Sequence, residues 1–281
     1  MSHERFYSRV NGPAVHGVTA VRRLDEVTPR YLAGGGDPRH VTEHLLAAGW
    51  TNHSVPGYPH VLLESPGQHL HLTLEPTAPE ERDTWWRIHP ANHQGWSAQF
   101  GGHTPVEIIA GFTDALHSAA PAPRSDPLHL AASRGWTRTT AGVEQAALSP
   151  DETAVLARIN VPVVSDTPVR RWKAEVCIPR SDGRLSWIWG ASIDERAPAA
   201  ALVGFVSALT DPMPLLRDED QTPARAFGYL DAIPSSISPE QHRRWHEQRL
   251  EQARRTLAAT PPSPAGPARP QGGPAHRRGR R

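Results

Sequence analysis

One cysteine, Cys177, and one lysine, Lys173, stand among 281 residues. A single thiol closes no internal disulfide and supplies no cysteine-based zinc cluster, so the chain reads as a cytoplasmic protein of a reducing compartment. Also missing is any apolar run near the roughly 18 residues needed to cross a bilayer. The first thirty residues contain no apolar signal core, so neither secretion nor a membrane partner is expected. Because lysine is nearly absent, 29 of the 30 basic residues are arginine. That bias resembles coding in a GC-rich genome, and arginine enrichment is therefore discounted as a sign of function. Proline, by contrast, is abundant at 29 residues, which suits ordered domains joined by Pro-rich connections.

Charges nearly cancel over the whole chain, 30 basic against 29 acidic residues for a net +1. They do not cancel locally. Residues 261–281 carry Arg269, Arg277, Arg278, Arg280 and Arg281 with no acid, a segment of +5 that leaves −4 for residues 1–260. The body has no net electrostatic attraction for nucleic acid, whereas the tail has one. The tail is rich in helix breakers and poor in apolar side chains, so it cannot offset the entropy of ordering. A disordered basic tail is expected over residues 259–281.

The body repeats itself. Asp37-Pro38 through Gly49-Trp50-Thr51 returns as Asp126-Pro127 through Gly135-Trp136-Thr137, and Ser65-Pro66 returns as Ser149-Pro150. Trp86 then matches Trp172, Phe100-Gly101 matches Trp189-Gly190, and Gly111-Phe112 matches Gly204-Phe205. Every landmark keeps its order, which argues for tandem duplication with short loop insertions.

Each copy reads as a helix, several strands and a second helix. Asp37 is a good N-cap, Pro38 fits the first helical turn and Gly49 is a C-terminal stop; Asp126, Pro127 and Gly135 take the same roles. Short runs over residues 58–64, 69–75, 85–89 and 96–100 predict antiparallel strands. Among them Leu70, Leu72 and Leu74 alternate with polar residues as on a sheet with one wet face. Trp172, Ala174, Val176 and Ile178 alternate in the same way, and Leu185, Trp187 and Trp189 are expected to share one face, like Trp96, Ala98 and Phe100. Thr104-Pro105-Val106-Glu107 predicts a capping box. The equivalent helix in the second copy has Ala197 before Pro198, so its start should fray more. Gly111 and Gly204 stand opposite the apolar stripes of their helices, where another element can approach closely. Ser238-Pro239-Glu240-Gln241 predicts a third helix start, followed by the thin stripe His246, Leu250, Ala253 and Leu257.

The expected architecture is α+β: a tandem duplication of a helix, antiparallel sheet and helix domain with pseudo-twofold symmetry, plus a C-terminal helix and the tail. An N-terminal segment spans 1–29, the first copy 30–117, a linker 118–125 and the second copy 126–217. A loop over 218–237 and a charged helix over 238–258 precede the tail. Whether the copies share one sheet is open at this point.

The run from Arg30-Tyr31-Leu32 to Asp37-Pro38, the Gly-Trp after the helix, the Ser-Pro turn, and Thr104-Pro105-Val106-Glu107 with Ala110-Gly111-Phe112-Thr113 together resemble the actinobacterial SPDY domain, domain of unknown function 317. The resemblance implies two tandem copies over roughly residues 30–217. It carries no catalytic motif and implies no activity. The name-giving Ser-Pro-Asp-Tyr turn corresponds to Ser65-Pro66-Gly67-Gln68 and Ser149-Pro150-Asp151-Glu152, which both depart at the fourth position, so no role is carried onto that residue.

Candidate chemistry is sparse. Gly34-Gly35-Gly36 before a helix suggests a phosphate cradle, but the Gly-Lys-Ser/Thr ending of a P-loop is absent and Asp37 would repel phosphate; a flexible helix entry is the simpler reading. His40 with His44 and His69 with His71 have spacings that suit a metal ion, with Glu75 as a third ligand; solvent-facing histidines explain the pattern equally well, and no metal site is assigned. The tryptophans suit base stacking or core packing. Repetition of Trp50 and Trp86 as Trp136 and Trp172 favours the core, while Trp85, Trp187 and Trp189 are left between core and surface. No nucleophile elbow or zinc-protease motif is present, and Cys177 reads as a half-buried strand residue. Neither a catalytic residue nor a cofactor is expected. Duplication without a polar constellation common to both copies points to a non-enzymatic protein-binding or scaffold protein, its partner another protein held in the cleft between copies. The alternative is a nucleic-acid-associated protein using Arg269, Arg277, Arg278, Arg280 and Arg281, whose binding would fall steeply with salt.

Overall fold

The computed structural model describes residues 23–76, 84–92, 95–116, 125–141, 144–161, 169–218 and 221–259. The chain begins with β1 (Leu24–Thr28) and α1 (Arg39–Ala47), followed by β2 (Thr51–Asn52), β3 (Val61–Glu64), β4 (Leu70–Leu74), β5 (Thr84–Pro90), β6 (Ala98–Gly101) and α2 (Val106–Ala115). A second series follows: α3 (Pro127–Ser133), β7 (Thr137–Ala141), β8 (Glu144–Leu148), β9 (Ala154–Val161), β10 (Val169–Pro179), β11 (Leu185–Asp194) and α4 (Ala199–Leu209). Then come β12 (Leu215–Asp218), β13 (Asp231–Pro234) and α5 (Pro239–Ala259).

Helix ends follow the local chemistry only in part. The Asp37 carboxylate accepts the Arg39 N–H at 3.0 Å, but from the position before the Pro38 N-cap, so α1 starts a residue later than expected. Gly49, at φ 90°, ends α1 by returning the Gly49 and Trp50 N–H groups to the Leu46 and Leu45 carbonyls. A residue without Cβ adopts that turn freely. Gly135, at φ 87°, closes α3 likewise, although Asp126 at its N-cap makes no side-chain capping bond. The capping box expected at Thr104 is not formed. Pro105 is the N-cap of α2, the Glu107 carboxylate is taken by Arg217, and the Val106 N–H goes to the Gly35 carbonyl at 2.9 Å. The Thr104 hydroxyl is buried without a partner. Pro198 is the N-cap of α4, with nearly the same backbone angles as Pro105. A difference in fraying therefore has no basis in capping by Thr104.

Ten strands form one antiparallel sheet in the order β2-β3-β4-β5-β6-β11-β10-β9-β8-β7. The second five run in reverse of the first, as a twofold axis at the β6–β11 joint produces. Phe100 pairs Ala191 and Ala98 pairs Ile193 across that joint, so the halves share one continuous sheet. On the inner face α2 and α4 cross at their glycines. A Cβ added to Gly111 would lie 2.6 Å from the Gly204 carbonyl oxygen, which places the close approach where the sequence left room for it. Phe100 is 5.7 Å from Phe112 of α2 and 5.8 Å from Phe205 of α4, so a side chain of one half packs on helices of both. Trp50, Trp86, Trp136, Trp172 and Trp189 are all buried in this core.

One expected face is wrong. The register of β10 against β11 shifts between Val176 and Cys177, so that Val176 opposes Trp189 while Cys177 opposes Trp187. This bulge inserts Ile188 beside Trp189 on the core side and turns Leu185 and Trp187 to the outer face. Trp187 lies against Gly190 there, and Trp85 lies against Gly102.

Apart from the ten-stranded sheet, β12, β1 and β13 form a separate antiparallel sheet with β1 in the middle. The segment read as a loop over 218–237 thus contains β13 and a short helix, Ala224–Ala226. The N-terminal segment supplies the central strand. Helix α5 opens on the expected box: the Ser238 N–H donates to Gln241 Oε1 at 2.8 Å and the Gln241 N–H to Ser238 Oγ at 3.2 Å. Leu250 and Ala253 bury against Ala47 of α1, and Leu257 covers Gly49.

Candidate binding groove

The residues before α1 reach across to the second half. The Tyr31 hydroxyl donates to Asp151 Oδ1 at 2.7 Å, and the Tyr31 ring meets Trp136 edge-on with centroids 5.8 Å apart. Trp189 fixes the backbone at this point by donating its indole N–H to the Tyr31 carbonyl at 2.7 Å. Burial pushes the phenol well above its usual pKa, and the Asp151 carboxylate adds to the effect, so Tyr31 remains a proton donor.

Asp151 belongs to the second Ser-Pro turn. It also accepts the Ser149 hydroxyl at 2.5 Å and, at 2.9 Å, the Thr153 hydroxyl. Ser149 in turn accepts the Ala154 N–H, just as Ser65 accepts the Leu70 N–H in the first half. The fourth residues of the two turns, Gln68 and Glu152, both have φ of 61°. The two turns therefore share one backbone conformation at this position although its side chains differ.

Tyr31, Trp136, Asp151, the end of α4 and residues 228–231 enclose a groove of about 610 Å³. Tyr229 stands on its wall, anchored by its hydroxyl to the Pro179 carbonyl at 2.6 Å. Arg134 is also on the wall, but its guanidinium is spent on the Ser207 carbonyl and on the Ser207 and Thr210 hydroxyls. Asp211 pairs with buried Arg30 at 3.1 Å. Asp151 and Asp231 line the same groove, and among the described residues neither has a cation within salt-bridge distance. Among the described residues no histidine, cysteine or lysine lines the groove. The site therefore offers the exposed ring of Tyr229 and two carboxylates without a salt-bridge partner among the described residues, a combination suited to a planar cation.

The cleft expected between the halves is closed at the joint by the Gly111–Gly204 contact. The groove lies at the end of the second half instead. The sequence contained both of its key residues, in the Arg30-Tyr31 run and the Ser149-Pro150-Asp151 turn, but 120 positions separate the partners and no local pattern joins them.

The other candidates fall elsewhere. His40 and His44 lie on α1 against α5, where His246 meets Glu43 at 2.8 Å and Arg249 meets Asp114 at 2.7 Å. Burial lowers His40 to a pKa of about 4. His71 is 3.4 Å from Glu64, which also meets His53 at 3.0 Å, while Glu75 pairs with Arg87. Among the described residues no group of three or more His, Cys, Asp or Glu is arranged to hold a metal ion. Gly34-Gly35-Gly36 is a packing device: a Cβ on Gly34 would lie 2.2 Å from the Gln221 carbonyl oxygen, and one on Gly35 2.6 Å from that of Gly102. Arg217, almost fully buried, donates to the Ala33 and Gly34 carbonyls and pairs with Glu107 at 2.6 Å. Burial would raise the Glu107 pKa, but this guanidinium holds it at about 2. Cys177 is half-buried, as expected. The tail arginines Arg269, Arg277, Arg278, Arg280 and Arg281 lie outside the described residues, as does the linker apart from Ser125.

Fold and groove define an α+β protein with a mirrored ten-stranded sheet and a concave, aromatic and acidic site. The family model of the SPDY domain, a domain of unknown function (DUF317), matches residues 64–123, from the end of β3 through α2. No curated protein and no solved structure matches the chain. No helix among the described residues is long and apolar enough to cross a membrane.

Proposed function

We propose that the chain is a non-enzymatic protein-binding module built from two SPDY-like copies, and that its groove takes an arginine-bearing segment of a partner protein. The observation that carries this reading is the pair of carboxylates, Asp151 and Asp231, that line an aromatic groove without a cationic partner among the described residues. A guanidinium entering there gains two charge-assisted partners and a ring face. Among the described residues the lining includes no histidine, cysteine or lysine, and the Tyr31 and Thr153 hydroxyls serve to hold Asp151, which supports binding over catalysis. On the same reading the protein is cytoplasmic and actinobacterial, in keeping with its single cysteine and its preference for arginine over lysine.

Calorimetric titration with a capped Gly-Arg-Arg-Gly-Arg peptide tests it. Saturable binding is expected, about fivefold weaker in Asp231→Asn, the loss of one charge contact of about 1 kcal/mol. Equal binding of a peptide with glutamine in place of arginine would sink the proposal. The +5 of residues 261–281 supports a second reading, sequence-independent nucleic-acid binding by the tail. Removal of the five tail charges should then abolish retention on DNA.

A further inference from the structure

We infer that the groove's resting occupant is this chain's own C-terminal arginine segment, an inference that rests on the reading of the groove as a site for arginine. Charge is the first argument. Residues 261–281 carry five arginines and no acid, against −4 for the rest of the chain. Many carboxylates elsewhere on the described surface are matched, such as Glu75 by Arg87, Glu175 by Lys173, Glu195 by Arg158 and Asp114 by Arg249, and those that are not, Asp25, Asp126, Glu152 and Glu247, lie outside the groove. Asp231, exposed on β13, and Asp151, held only by hydroxyl and amide N–H donors, are not matched among the described residues. Chemistry is the second argument. Guanidinium groups stack on aromatic faces while donating in plane to carboxylates, and Tyr229, 39% exposed, provides such a face beside those carboxylates, with the buried Tyr31 and Trp136 rings forming the floor.

Reach is the third argument. The Leu257 contact with Gly49 fixes where the tail departs from the body. Arg277 lies 18 residues beyond Ala259, a contour of up to about 60 Å. The 21-residue α5 is about 31 Å long, so a segment leaving its far end can return over its whole length. A Pro- and Gly-rich linker of this size keeps its end at an effective concentration on the order of millimolar. Against a site that binds arginine peptides at about 100 µM, that concentration weakens an outside ligand about tenfold. The tail thereby acts as a built-in competitor, displaced by a partner that brings a better arginine segment.

The test uses the full chain and a full-length variant with Arg269, Arg277, Arg278, Arg280 and Arg281 all changed to Gln. Each is titrated with a peptide of residues 260–281. The variant should bind about tenfold more tightly than the parent, and the further change Asp231→Asn should reverse most of that gain. Equal affinity for the two chains overturns self-docking while leaving the groove reading intact. Absence of binding to either chain overturns both. Binding that ignores Asp231→Asn places the tail elsewhere and also overturns the inference. As a second readout, Arg278→Lys places an amine in the tail for zero-length carbodiimide coupling. Cross-links to Asp151 or Asp231 within one chain support the inference. Cross-links only between copies, shown by mixing isotope-labelled and unlabelled protein, overturn it.

Discussion

At Gly204 an added methyl would lie 2.1 Å from the Gly111 carbonyl oxygen and 3.0 Å from the Ala115 Cβ. Backbone cannot retreat there without separating α2 from α4, so Gly204→Ala should cost about 1–3 kcal/mol, seen as a lower urea midpoint at unchanged slope. An unchanged midpoint would mean that the helices are not in contact at this glycine. Thr104 supplies a test of opposite sign. Were it the N-cap of α2, Thr104→Val would cost about 1 kcal/mol. Its hydroxyl is buried without a partner, so the same substitution should leave stability unchanged or raise it by up to about 1 kcal/mol. Denaturation of that one variant separates the two geometries. The local sequence here was misleading because Thr-x-x-Glu satisfies the capping pattern, whereas Arg217, 110 positions away, takes the glutamate.

The docking of α5 on α1 is where pH acts on an element. His40, on α1, faces His246 and Arg249 of α5, with Glu107, Asp114 and His242 close enough to influence their charge. Burial lowers His40 to about 4, and it also lowers His242. A histidine whose pKa is depressed in the docked state takes its proton more readily when undocked. The stabilisation is therefore complete above the ordinary value of about 6.5 and is lost as pH falls from there towards 4. Glu107 does not interfere, since its lowered pKa makes its own contribution fall away only below about 4.5. Amide exchange across Pro239–Ala259 should accelerate, relative to the sheet and after correction for intrinsic rates, between pH 6.5 and 4.5. His40→Gln should flatten that trend, and a trend unchanged by the substitution would assign it to other groups. The sequence showed the helix, its box and its stripe, because those are local. It did not show what the stripe covers, nor β1, β12 and β13, whose four or five residues have little periodicity and whose pairing joins chain positions 188–209 residues apart.

For the whole molecule, the landmarks read as repeats have like local geometry: Gly49 and Gly135 both end a helix at positive φ, Gln68 and Glu152 of the Ser-Pro turns both have φ 61°, and Gly111 and Gly204 meet each other. What they could not show was the joint. Sharing a sheet depends on β6 meeting β11 and not on any pattern within either strand, and the bulge at Ile188 breaks the alternation from which their faces were read. That joint sets how the protein unfolds. Phe100 packs on helices of both halves, and at Gly111 and Gly204 the two helices meet backbone to backbone. Separating the halves would expose the centre of a common core, so neither half has an independent stable state to populate. Heat should therefore unfold the sheet and α1–α4 in one transition with equal calorimetric and van't Hoff enthalpies. Opening of α5 would be a local event preceding it, since Leu250 and Ala253 form a small cluster of their own with Ala47. A calorimetric enthalpy near twice the van't Hoff value would instead show two halves melting separately, and the shared core would then contribute far less than its packing implies.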